Sequence, residues 1–232
     1  HGDLLPGAGH QFVAPIINGF ERGPQLFPFV FQGLVAGQSF LDGLRGVQGL
    51  LPLGDGRAYV SDLYADGLHI VNLATRQVTG FIALPGWNAQ MARAGSRVVV
   101  ANRRSVNDAR PGGEHLYLID PEEDRVVDSI YVGENPGSLV QGQDGALWTA
   151  VARTNTHDGP ALVRVYADKR AAPATYPLPA GQPTPSRLAL SPDGQTLYYL
   201  ADGLYAMATT ASSAPTSPLI PAEGRLLFGM GV

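Results

Sequence analysis

One short line of sequence returns four times along the chain, and its spacing restricts the fold more than any other feature. The line reads Gly67-Leu68-His69-Ile70-Val71-Asn72, then His115-Leu116-Tyr117-Leu118-Ile119-Asp120, Ala161-Leu162-Val163-Arg164-Val165-Tyr166 and Gly203-Leu204-Tyr205-Ala206-Met207. Its leading leucines stand at 68, 116, 162 and 204, giving spacings of 48, 46 and 42 residues. A strand-rich repeat of that length signals a radial or stacked array, in which each unit buries its apolar faces against its neighbours. Repeated residues build the scaffold, so a ligand site belongs where the repeats differ.

Each repeat divides into up to four short strands. In the second, strands are predicted over 88–94, 97–102, 115–119 and 126–132, with Asp120-Pro121-Glu122-Glu123-Asp124 as the turn before the last. Asp55-Gly56, Gly95-Ser96, Asp144-Gly145 and Asp193-Gly194 separate the first two strands of successive repeats. Asp-Gly there predicts tight type I′ hairpins, which need positive φ at both central residues. The second strands are apolar throughout: Ala58-Tyr59-Val60, Val98-Val99-Val100, Ala146-Leu147-Trp148, Leu197-Tyr198-Tyr199. Apolar residues on both sides of the pleat predict sheets covered on both faces, as stacked blades are. The 29 glycines and 19 prolines fit a turn-rich all-β chain, and no window of helical length carries a 3.6-residue apolar period.

The expected architecture is therefore an all-β propeller of four-stranded blades with repeats of about 45 residues, incomplete in this chain. Residues 1–45 read as a partial first blade, 46–221 as about four blades and 222–232 as the first strand of another, all in one domain. The Ala/Ser/Thr/Pro-rich stretch 209–218 reads as an inter-strand loop and outer strand. The chain begins at His1 and stops inside a strand-like run, which predicts a piece of a longer protein.

Several chemistries are disfavoured. The net charge is −4, with scattered acids and no basic block, which argues against nucleic acid as a partner. The absence of cysteine removes disulfides, thiolate metal sites and a cysteine nucleophile. No apolar stretch approaches the roughly 18–20 residues of a transmembrane helix. The five histidines (His1, His10, His69, His115, His157) show no metal-ligand spacing. Gly-x-Ser-x-Gly is absent, Glu122-Glu123 sits in a turn, and the Asp-Gly turns lack the acidic series of a calcium loop. With no catalytic residue, metal or cofactor indicated, the expectation is a non-enzymatic protein.

In such a fold, the loops between second and third strands and the segments leading into each blade share one face around the central channel. The loops are unequal: 62–66 is short, 102–110 long and polar, 153–158 intermediate and 201–203 minimal. They supply Asn102, Arg103, Arg104, Asn155 and His157, and the leading segments supply Gln48, Trp87, Asn88, Gln90, Asn135, Ser138 and Arg187. Amides both donate and accept, guanidinium groups grip anions, and indole gives rigid contact area, a set that suits a large polar ligand bearing amides and phosphate. The competing role for these residues is structural: amides and hydroxyls also cap strand ends.

The repeats resemble the YVTN/YncE-like β-propeller family, and within it the exported Bacteroidetes surface-lipoprotein branch that includes BtuG-like proteins. The phrases that carry the resemblance run Ile70-Val71-Asn72-Leu73-Ala74-Thr75-Arg76-Gln77-Val78, Leu118-Ile119-Asp120-Pro121, Val132-Gly133-Glu134-Asn135-Pro136-Gly137-Ser138, Asp144-Gly145-Ala146-Leu147-Trp148, Pro185-Ser186-Arg187-Leu188-Ala189 and Gly224-Arg225-Leu226-Leu227-Phe228-Gly229. The resemblance implies an exported protein at the cell surface, outer membrane or periplasm, cobalamin as a bound ligand, and a TonB-dependent outer-membrane transporter or other surface protein as partner. The family has about seven blades and a lipidated N-terminal cysteine, from which this chain departs. A lactonase or quinoprotein-like propeller enzyme and a pure interaction or surface-layer scaffold are the alternative readings.

Overall fold

The computed structural model describes residues 44, 46–62, 65–103 and 113–222, with only the backbone described at 87–89. The ends of the chain, 1–43 and 223–232, lie outside that range, and with them most of the partial first blade read at 1–45 and all but the first residue of the strand read at 222–232.

Sixteen strands form four four-stranded antiparallel sheets, each strand pairing with the next in sequence. The first sheet holds β1 (Val47–Pro52), β2 (Arg57–Asp62), β3 (Gly67–Asn72) and β4 (Gln77–Ala83). The second holds β5 (Trp87–Ala94), β6 (Arg97–Arg103), β7 (His115–Asp120) and β8 (Arg125–Tyr131). The third holds β9 (Leu139–Gln141), β10 (Ala146–Val151), β11 (Ala161–Tyr166) and β12 (Ala174–Pro177). The fourth holds β13 (Arg187–Leu190), β14 (Thr196–Leu200), β15 (Gly203–Ala208) and β16 (Ile220–Pro221). No helix occurs among the described residues. The sheets touch through their first strands, β1 with β5, β5 with β9 and β9 with β13. That is the packing of propeller blades, and the fold is an all-β propeller of four-stranded blades.

The apolar second strands are explained by blade stacking. Val98 and Val100 point into a core shared with Tyr59, Leu68 and Ile70 of the first blade. Val99 and Ala101, on the opposite side of the pleat, enter a core shared with Leu147, Val163 and Val165 of the third. Trp148, Ala150 and Leu162 face the fourth blade, where Leu188, Leu197 and Tyr199 meet them. Both sides of β6 and β10 are thus buried, and at roughly 25 cal/mol per Å² of apolar area these three seams are the main stabilising contribution.

Two local expectations are corrected. The turns between first and second strands are not type I′: Gly56, Gly95, Gly145 and Gly194 have positive φ, whereas Asp55, Asp144 and Asp193 do not. Each aspartate instead accepts a backbone hydrogen bond two residues on, from Arg57, Ala146 and Gln195, all at 3.0 Å. The side chain shapes the turn, and glycine takes only its final left-handed position. The outer strand of the fourth blade shrinks to two residues after a long loop, because Pro215, Pro218 and Pro221 cannot donate to a ladder.

Candidate functional site

Antiparallel order puts the β2–β3, β6–β7, β10–β11 and β14–β15 connections at one end of the blades, together with the segments leading into β5, β9 and β13. This loop face is the one the sequence selects. The tight hairpins occupy the other end.

On the loop face Asn102 is fully buried. Its amide nitrogen donates to the Pro85 carbonyl, and its oxygen accepts from the Gly113 N–H at 2.6 Å. The side chain therefore clasps the segment leading into the second blade to the far end of that blade's long loop. Asn135 has φ 54, a left-handed conformation that asparagine tolerates, and its N–H reaches the Gly113 carbonyl at 2.5 Å. Ser138 is buried, and its hydroxyl accepts the Leu188 N–H at 3.0 Å, joining the third blade to the fourth. Asn102 and Ser138 thus spend their polar groups on the scaffold.

Arg103 and Arg187 are exposed, one at the end of β6 and the other at the start of β13, so blades two and four both contribute a guanidinium to this face. Partial desolvation first, and the like charge of Arg187 second, push the Arg103 guanidinium below its usual range. Arg187 donates to the Ser186 carbonyl at 3.0 Å. The 153–158 loop is closed on itself: the Thr154 hydroxyl accepts the His157 N–H at 3.1 Å, and the Thr154 N–H reaches the His157 carbonyl at 2.9 Å. His157 is half-buried there and Asn155 exposed. Gln48 is exposed at a bulge in β1, opposite Ser61 and Asp62, and Gln90 is half-buried just after a bulge in β5. Arg104, like all of 104–112, lies outside the described residues, as do the side chains of Trp87 and Asn88.

The hairpin face carries two clefts that the sequence reading passed over. One, of about 520 Å³, lies between blades two and three, beside Ser96, Arg97, Asp128, Gln141 and Asp168. Lys169 of the third blade pairs with Asp128 of the second at 2.6 Å across it. The other, of about 390 Å³, lies between blades three and four. Its third-blade wall carries Arg164, which sits 5.6 Å from the Trp148 ring and 5.3 Å from that of Tyr166. Arg164 donates to Asp144 at 2.5 Å and to the Tyr166 hydroxyl at 2.6 Å. Burial pushes the Asp144 carboxyl up, but hydrogen bonds from the Ala146 N–H, Arg164 and Tyr166 outweigh it and leave it below the usual carboxylate range. The same cleft holds Asp193, Gln195, Thr209 and Thr210 of the fourth blade.

A signal for Arg164 was present. Two residues after each leading leucine stand Ile70, Leu118, Arg164 and Ala206, so the third repeat alone places a charge there. Among the described residues, no group of three or more histidines and acids is arranged to hold a metal ion, and no helix is long and apolar enough to cross a membrane.

No protein-family model and no curated protein sequence matches the chain. Among solved structures it is similar to the hydrazine synthase of Kuenenia stuttgartiensis, with 17% identity and a TM-score of 0.58 over 78% of this chain. The chain spans about half of that structure, 51% of its length. At this identity the likeness bears on the fold alone. The expectation of a non-enzymatic protein does not stand, because this fold also occurs in an enzyme and the fold alone decides neither way. The physical reason is that catalytic groups in a repeat scaffold come from loops and cofactors converging in space, so the absence of a linear motif does not exclude chemistry.

Proposed function

We propose that this chain is an exported or cell-surface propeller whose loop face binds a large polar ligand carrying negative charge, with a cobalamin-type ligand passed to a TonB-dependent outer-membrane transporter as its sharpest form. The observation that carries the reading is the pair Arg103 and Arg187: two blades, not adjacent in sequence, each bring an exposed guanidinium to the same face, close enough for one charge to depress the other's pKa. Guanidinium groups brought to one face by two blades suit a ligand with an anionic group, which can accept charge-assisted hydrogen bonds from both. The clasps made by Asn102, Asn135 and Ser138 support the reading by holding the surrounding backbone rigid, so that little ordering cost is left for binding. The resemblance to BtuG-like sequences supplies the ligand class and the partner.

The test is gel filtration of the purified protein with cyanocobalamin, followed by visible absorbance. Colour eluting with the protein at about micromolar concentration, reduced about tenfold in affinity by Arg103→Ala or Arg187→Ala, is the expected result. Absence of co-eluting colour overturns the cobalamin assignment. Binding unaffected by both substitutions overturns the assignment of this face.

A further inference from the structure

The cleft between the third and fourth blades lies at the opposite end of the molecule from the loop face and is built around an unusual group. Arg164 stands in β11 between Val163 and Val165, at a position that is apolar in the other three repeats. A guanidinium at a blade seam is costly to desolvate, and here it is fixed rather than left mobile: stacked beside Trp148 and Tyr166 and hydrogen-bonded to Asp144 and the Tyr166 hydroxyl. Its Nε is nevertheless buried with no hydrogen-bond partner of good geometry, although the nearby Tyr176 hydroxyl helps to support the charge. The two walls are tied by Gln143 of the third blade, which donates to the Pro192 carbonyl of the fourth at 2.7 Å, so the cleft is held at its width before any ligand arrives.

The chemistry of the lining narrows the ligand. Asp144 already neutralises Arg164, and Asp193 adds a second carboxylate to the same cleft, so the field there is negative overall and disfavours an anion. Asp193, Gln195 and Thr210 are exposed and turn polar groups to the opening. The Trp148 ring is only 1% exposed, leaving no aromatic platform there for a flat apolar ligand. The volume of about 390 Å³ falls within the roughly 300–1,000 Å³ of small-molecule sites. We propose that this cleft binds an uncharged, hydroxyl-rich ligand, a hexose unit. A hydroxyl is a compact neutral group that can accept from Arg164 and donate to Asp193 at once. Binding through hydrogen bonds without a stacking platform gives a weak site, with a dissociation constant of about 1 mM.

The test is a set of NMR titrations of the purified chain with D-glucose, D-galactose and D-mannose, and with sodium sulfate as the anionic comparison, each to about 10 mM. At least one hexose saturates, while sulfate does not compete with it. Arg164→Lys, which keeps the charge but lacks Nε and the planar fork, weakens that hexose about tenfold. Because Arg164 also packs a blade seam, Gln195→Ala and Thr210→Val provide variants at exposed positions, and each weakens the hexose several-fold with an unchanged unfolding midpoint. No saturable binding by any of the three hexoses overturns the proposal. So does sulfate binding that displaces the hexose, or hexose binding that all three substitutions leave intact.

Discussion

Replacing Asn102 separates a clasp from a ligand contact. In Asn102→Ala the Gly113 N–H and the Pro85 carbonyl both lose their partner. The two losses are unequal. Gly113 is buried, so its N–H is left without water and costs about 1–3 kcal/mol. Pro85 is exposed, so its carbonyl can turn to solvent at a cost of about 0.5–1 kcal/mol. The sum, about 1.5–4 kcal/mol, corresponds to a fall in the thermal midpoint of about 3–16 °C for a domain of this size. Circular dichroism melting reads it directly. A second variant, Asn102→Asp, adds a sign. Its introduced carboxyl keeps the oxygen that faces Gly113 but meets the Pro85 carbonyl with an acceptor unless it is protonated. Burial and that carbonyl raise its folded pKa above the unfolded value of about 3.9. For an acid raised in this way, the unfolded state ionises first as pH rises, so stability is lost between the unfolded and folded pKa values and stays lost above them. The gap between Asn102→Asp and the parent protein therefore widens from about pH 4 to about pH 8. An alanine variant melting within about 1 °C of the parent, or an aspartate variant whose gap does not change with pH, would refute the clasp.

Two further perturbations address the seams between blades. Ser138→Ala removes the buried acceptor of the Leu188 N–H and should lower stability by about 1–3 kcal/mol, read in urea unfolding as a lower midpoint at unchanged slope. On the hairpin face, the hydrogen bond from Lys169, then that from the Ser129 N–H, holds the Asp128 carboxyl below the usual carboxylate range. A depressed acid contributes stability that is present above the unfolded pKa and lost as pH falls through the folded one. Asp128→Asn therefore gives a shallower loss of thermal midpoint than the parent on acidification below pH 3.8, with Lys169→Met giving the same result; an unchanged acid limb in both would refute the pairing.

What the sequence discloses about this fold follows the range of the interaction involved. Strand positions are set by the alternation of side chains along a few residues, so Val98-Val99-Val100 and Ala146-Leu147-Trp148 announce doubly buried strands without knowledge of their neighbours. Turn type depends on a side chain reaching two residues along, which residue identity alone does not reveal. Asp55, Asp144 and Asp193 were therefore legible as turn formers while the turn itself was not. The duties of Asn102 and Ser138 depend on backbone groups 11, 17 and 50 residues away. A buried clasp and an exposed ligand contact use the same amide and hydroxyl chemistry, so composition could not separate them.

The hairpin-face cleft is the instructive case, because its central residue stands in the repeated line itself. The rule that a site lies where repeats differ led to the loops, whose lengths differ visibly. The same rule applied residue by residue to the line beginning at Leu162 points to Arg164, where Ile70, Leu118 and Ala206 stand in the other blades. Its partners were hidden because Asp144 is spent as a turn former on one oxygen and holds Arg164 with the other. The ladder that pairs Trp148 with Arg164 and Ala146 with Tyr166 brings those oxygens, the guanidinium and the phenol to one edge of the blade. A stacked scaffold thus offers binding positions at both ends of every seam, and in this chain the departure in the strands marks the hairpin end as strongly as loop length marks the other.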